Sequence, residues 1–156
     1  MTGVQTCALP ISTKGGADLI GIGLTSIGDG IDYYAQNFKE LDVYEDAIDS
    51  GRLPVFKGYQ LSQDDMIRQY VIMEMMSNFA LNIKRVEEKF GIVFKEYFKE
   101  DLPELNEFVE AELVTINDDK IEVSQTGTML IRNIVMPFDA YLKKVPENQR
   151  RFSKTI

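Results

Sequence analysis

The chain has 156 residues, 44% apolar and 27% charged, the proportions of one ordinary globular domain. Its 25 acidic and 17 basic residues give a formal net charge of −8, which works against binding a phosphate backbone. One cysteine and no histidine exclude an internal disulfide, a cysteine metal cluster, and Ser–His–Asp or Cys–His hydrolysis within this chain.

Residues 1–12, MTGVQTCALPIS, have neither the charged start nor the long apolar stretch of a secretory signal. They resemble a translated sequencing-library adapter joined to a truncated gene, and are read as a non-native leader. Cys7 falls inside it and is read as incidental rather than as a nucleophile or cluster ligand. No apolar run approaches the roughly 18 residues that a membrane span requires, so no membrane partner is expected.

Leu19 through Ile27 read LIGIGLTSI, a short apolar run bounded by polar residues. The pattern predicts a strand buried on both faces, as in a parallel sheet. Gly21 and Gly23 inside it mark close approach of a ligand or of another backbone. Gly28, Asp29 and Gly30 end the strand, and a polar loop with Tyr34, Gln36 and Asn37 follows. Residues 16–37 look like the closing strand and exit loop of a larger α/β barrel whose other strands are missing. A helix is predicted over 38–50, with Leu41, Tyr44 and Ile48 on one side and Gly51 as its stop.

Residues 53–59 read as an extended linker. Ser62 then caps a helix, with Asp65 three positions on. Met66, Ile67, Tyr70, Val71, Ile72, Met73, Met75, Met76 and Phe79 spread almost all round that helix, which predicts burial on every side, sandwiched between barrel and C-terminal domain. Ile83, Val86 and Phe90 make a short helix ending at Gly91. Phe94, Tyr97 and Phe98 form an apolar cluster, and Pro103 suits the first turn of a helix carrying Leu105, Phe108 and Val109. Residues 113–116 and 120–123 flank Asn117-Asp118-Asp119 as a hairpin. The last helix starts near Thr126 and carries Met129, Leu130, Ile134, Phe138, Tyr141 and Leu142, with Pro137 kinking or dividing it. Helix, short helix, helix, hairpin, helix resembles a winged-helix domain.

Three motifs invite function. Gly21-Ile22-Gly23 begins a dinucleotide fingerprint, but position 26 is Ser and Gly28-Asp29-Gly30 blocks an immediate helix, so the nicotinamide reading is set aside. A winged helix invites nucleic-acid binding. Here Asp118 and Asp119 occupy the wing tip, and Glu87 and Glu88 share the short helix with Lys84, Arg85 and Lys89, so no nucleic-acid partner is expected. Lys143, Lys144, Arg150, Arg151 and Lys154 against Glu147 give the last fourteen residues a net +4, leaving −12 on the rest. They read as a solvated terminal segment, the alternative being that some of these cations face a polyanionic substrate.

DLIGIGLTSIG (18–28), YAQN (34–37), FKGYQLSQDDMIRQYVIMEMMSNF (56–79), TGTMLIRNIVMPFDAYL (126–142) and the ending RFSKTI (151–156) together resemble the oxygen-independent coproporphyrinogen III oxidase (dehydrogenase) family of radical S-adenosylmethionine enzymes. The resemblance covers residues 13–156. It implies an α/β fragment: the end of a radical-enzyme barrel over 13–52 and a winged-helix-like cover domain over 53–156. It implies a full-length oxidoreductase of porphyrin and haem biosynthesis, cytoplasmic and monomeric. That enzyme would use a [4Fe–4S] cluster, S-adenosylmethionine and an electron donor to convert two propionates of coproporphyrinogen III into vinyls. The cluster cysteines would lie upstream, so this chain carries no catalytic residue and no metal ligand and is expected to be inactive alone. It is also expected to be poorly soluble, with unpaired strand edges. The one carried-over contact is Ile27, matching an isoleucine that touches S-adenosylmethionine, with Gly21 and Gly23 in support. A haem-chaperone relative of the same superfamily is the alternative.

Overall fold

A computed structural model describes residues 18–144. The leader with Cys7, and Glu147, Arg150, Arg151 and Lys154 of the tail, lie outside the described residues. Packing divides the chain into two compact units, Met1–Met66 and Ile67–Ile156, where the sequence suggests a boundary at 52/53. The described residues form an α/β structure with two three-stranded antiparallel sheets and seven α-helices.

The sheet of the first unit has the order β1-β2-β3, with β1 at Ile27–Asp29, β2 at Tyr33–Asn37 and β3 at Val55–Gln60. β3 occupies the expected linker and pairs along β2 from Tyr33↔Gln60 to Asn37↔Val55. Between β2 and β3 runs α1, Leu41–Asp49. Gly51 ends it at φ 71°, a left-handed conformation that glycine adopts without steric cost. Its buried residue is Ala47, while Leu41 and Ile48 of the expected apolar side are half exposed.

The predicted strand over 19–27 is corrected. Leu19 makes one antiparallel bridge to Asp29, and the regular strand begins only at Ile27. Between them Gly23 at φ 96° and Thr25 at φ 59° turn the chain, so the run cannot extend as a ladder. Nor is it buried on both faces: Ile20 is 79% exposed and Ile22 87%. Tyr34, Gln36 and Asn37, expected on a loop, belong to β2.

α2 spans Gln63–Asn78. It opens on the expected capping box, in which the Ser62 main-chain N–H donates to Asp65 at 2.9 Å and the Asp65 N–H donates to the Ser62 hydroxyl at 3.2 Å. Full burial is confined to Ile67, Val71 and Met75, one stripe at four-residue spacing rather than every side.

In the second unit β4 (Ala80–Asn82) pairs with β6 (Lys120–Val123), which pairs with β5 (Val114–Ile116), giving the order β4-β6-β5. The β5–β6 hairpin forms about Asn117-Asp118-Asp119 as its sequence indicates. α3 (Ile83–Phe90) is capped by the Asn82 side chain, which accepts from the Arg85 N–H at 3.0 Å, and it ends on left-handed Gly91. α4 (Phe94–Tyr97) leads to a 3-10 turn with Pro103, Leu102–Leu105, and then to α5, Asn106–Glu110. The last helical stretch is divided at Pro137, as expected. A 3-10 turn at Gly127–Leu130 precedes α6 (Ile131–Val135), and a second at Met136–Phe138 separates α6 from α7, Ala140–Lys144. Phe94, Phe98 and Phe138 are fully buried at the centre, with Phe98 edge-on to Phe138 at 5.2 Å between ring centroids.

Candidate functional site

The three residues singled out in the sequence all lie in the first unit, with Gly21 against the Ile27 main chain. A Cβ placed on Gly21 would lie 2.9 Å from the Ile27 carbonyl carbon and 2.9 Å from the Ser26 Cβ. The close approach marked by Gly21 is therefore to the chain's own backbone. Gly23 is different: apart from the Ser26 hydroxyl 4.0 Å away, the space beside its Cα is open. Ile27 is half buried on β1, in register with Gln36.

Asn37 holds this group together. It is 8% exposed at the end of β2. Its side-chain amide donates to the Gly23 carbonyl at 2.9 Å and to the Gly21 carbonyl at 3.3 Å. Its main-chain N–H donates to Ser26 O at 2.9 Å, and the Thr25 N–H donates to Phe38 O at 2.9 Å. The Ser26 hydroxyl donates to Gly23 O from the other side of the turn. A register shift between Gln36 and Asn37 marks a bulge in the β2–β3 ladder, the kind of irregularity that re-aims a side chain. The pattern YAQN contains Asn37, but its partners are known only once the turn over 21–26 is seen.

A second polar group lies in the second unit, and no motif in the sequence pointed to it. Asp101 is 3% exposed and pairs with Arg68 at 3.2 Å and with Lys143. Lys143 also reaches Glu104 at 2.9 Å, and Arg68 donates to Phe138 O at 3.0 Å. Burial alone would lower the Lys143 pKa, but its bonds to Asp101 and Glu104 outweigh that and hold it above the ordinary 10.5. Beside this cluster is an open groove of about 650 Å³, whose lining includes Glu104, Glu107, Phe108, Met136, Pro137 and Lys143. Lys143, considered for a polyanionic substrate, is thus engaged in ion pairs. At the hairpin tip Asp118 pairs with Lys95 and Asp119 with Lys84.

The residues do not fit an iron–sulfur cluster, which is held by several thiolates, because the whole chain has one cysteine. S-adenosylmethionine needs no thiolate: the space beside the Gly23 Cα is open and Ile27 is a half-buried apolar residue.

Residues 61–130 match the model of the HemN C-terminal domain family, and that is the class of domain this stretch represents. Over 145 residues, 93% of this chain, it is 50% identical to the oxygen-independent coproporphyrinogen III oxidase of Helicobacter pylori strain J99. The Escherichia coli K12 oxidase of that name is 38% identical over 145 residues. A solved structure of Escherichia coli coproporphyrinogen III oxidase (HemN), described as a radical SAM enzyme, superposes with a TM-score of 0.77 at 38% identity, covering 83% of this chain and 30% of that one. The chain spans about 31% of the length of the Helicobacter relative, and over that span it is similar to the oxygen-independent coproporphyrinogen III oxidases.

Proposed function

We propose that this chain serves as the C-terminal part of an enzyme that oxidises coproporphyrinogen III without oxygen, in the cytoplasm, on the path to porphyrin. The observation that carries this reading is 50% identity across 93% of the chain to an oxidase of that name. Bound S-adenosylmethionine, cleaved with an electron from a separate donor, would supply the radical chemistry by which each of two propionates gives up a hydrogen atom, an electron to an acceptor, and carbon dioxide, leaving a vinyl. The chain's own share is positioning and cover. Ile27 gives the cofactor an apolar contact, and Gly23 keeps the adjoining backbone free of a side chain. The first unit is read as the end of the barrel and the second as a winged-helix-like cover. Support for the latter is its order of helix, strand, helices and hairpin, with a β4-β6-β5 sheet. Nucleic-acid binding is disfavoured because the hairpin-tip acids Asp118 and Asp119 already engage Lys95 and Lys84. The enzyme is read as a monomer.

A chimera tests this directly. Residues 13–156 replace the matching part of the Helicobacter oxidase, and the product is reconstituted anaerobically. Oxygen-independent formation of protoporphyrinogen IX at a rate comparable to the relative is expected. A folded, cluster-loaded chimera that binds coproporphyrinogen but does not convert it would overturn the reading.

A further inference from the structure

We infer that Asn37 is a positioning residue for S-adenosylmethionine, clamping the turn over 21–26 so that Ile27 and the open backbone at Gly23 face the cofactor together. The inference rests on the reading of Ile27 given above.

The turn has no apolar core of its own. Ile20 and Ile22 are exposed, so packing does not fix its shape. It also carries strain, because Thr25 is a β-branched residue at φ 59°. Such a conformation costs on the order of 1–3 kcal/mol and persists only where the surroundings over-determine it. Asn37 and its neighbour supply that over-determination with four hydrogen bonds, two from the amide, one from the Asn37 N–H and one accepted by Phe38 O. The coupling to Ile27 is direct. Gly21 lies so close to the Ile27 main chain that a Cβ could not be inserted, and the carbonyl that accepts from the Asn37 N–H belongs to Ser26, the residue directly before Ile27. An aspartate at 37 would keep the shape of the side chain while removing both donors and setting a negative charge against two carbonyl oxygens.

The test uses the reconstituted chimera with Asn37→Asp, Ile27→Ala and the double variant. Two readouts are taken: the equilibrium dissociation constant of S-adenosylmethionine by dialysis, and steady-state kinetics. Asn37→Asp is expected to weaken cofactor binding about tenfold and to raise its KM to match. The kcat at saturating cofactor and the KM for coproporphyrinogen should stay within about twofold, a split that general loosening of the fold would not give. The loss caused by Asn37→Asp should be smaller in the Ile27→Ala background than in the native one, because part of it is transmitted through Ile27. Unchanged cofactor affinity in Ile27→Ala would sink the reading of the site itself. Weakened binding in Ile27→Ala with unchanged binding in Asn37→Asp, or fully additive losses, would sink the positioning role alone. If Asn37→Asp does not fold, Ser26→Ala loosens the same turn from its other side. It should weaken cofactor binding about two- to threefold, and no weakening there overturns the inference.

Discussion

Among the described residues the first unit buries two apolar side chains well, Ala47 and Leu61, whereas the second packs fourteen into one continuous core. The first is shaped mainly by main-chain bonding: the β1-β2-β3 ladder, the Leu19–Asp29 bridge and the Asn37 clamp. It leaves Ile20, Ile22, Ile31 and Leu53 at 78–87% exposure. Hydrogen bonds add little net stability, about 1 kcal/mol each, while apolar burial is the dominant favourable contribution to folding. The second unit therefore holds most of the intrinsic stability of the described residues. The first has a defined backbone path whose exposed isoleucines and leucine suit a further surface.

The largest expected effect breaks the second unit. Phe98 is fully buried, with ring centroids 4.8 Å from Phe94 and 5.2 Å from Phe138, and the Arg68 guanidinium lies over its face. Phe98→Ala should cost about 3–5 kcal/mol in urea unfolding of the chain. Hydrogen exchange would show whether the contrast holds. Amides of β4, β5 and β6 should lose protection, while those of β1 and β2 change far less. Equal loss in both would mean that the chain folds as one cooperative body.

A smaller effect concerns the ion cluster. Asp101→Ala strands Arg68 and Lys143 without their shared carboxylate. Both cations keep some access to solvent, at 17% and 32% side-chain exposure, so the cost should be about 2 kcal/mol rather than that of a fully buried pair. The pH dependence has a definite sign. Lys143 has its pKa raised on folding above the ordinary 10.5, chiefly by Asp101 and Glu104 against the opposing pull of burial. Its contribution is therefore fully present below pH 10.5 and is lost as pH rises through the higher folded value. Partial exposure limits it to roughly 1 kcal/mol. The stability gap between the native chain and Lys143→Met should stay flat at neutral pH and close above 10.5. A gap that stays open as the pH rises well past 10.5 would contradict this account of Lys143.

The two units also differ in how much of them the sequence discloses. The second was legible wherever local chemistry decides: Gly91 announces the end of α3, Pro137 the division of the last helix, and Asn117-Asp118-Asp119 the hairpin, just as Ser62 and Asp65, at the end of the first unit, announce the start of α2. Its missed strand, β4, has three residues, too few for any periodicity to register. Asp101 was invisible because its partners come from positions 68 and 143, a juxtaposition made only by the tertiary fold. In the first unit the apolar composition of 19–27 misled. An apolar run is read as a buried strand, yet the backbone angles at Gly23 and Thr25 rule out an extended path. Gly21, Gly23 and Ile27 were singled out in the sequence, and the turn brings Gly21 against the Ile27 main chain, but Asn37, which bonds to the Gly21 and Gly23 carbonyls, looked like one polar loop residue among several.

The smallest effect is the sharpest test of the contrast. Ile22 is 87% exposed. Replacing it with Ser removes no buried contact, so the stability of the chain alone should move by no more than about 0.5 kcal/mol. Light scattering from concentrated samples should fall, because an exposed isoleucine near a strand edge favours association. In the chimera the same change should behave otherwise. If the upstream part of the enzyme covers this surface, Ile22→Ser removes apolar burial worth about 1–3 kcal/mol, and the chimera's melting temperature should drop while that of the chain does not. A substitution that is silent in the chain and destabilising in the chimera would show that the first unit's exposed isoleucine is an internal contact of the longer enzyme. Silence in both would leave Ile22 a solvent-facing residue and confine the apolar contact surface to Ile20, Ile31 and Leu53.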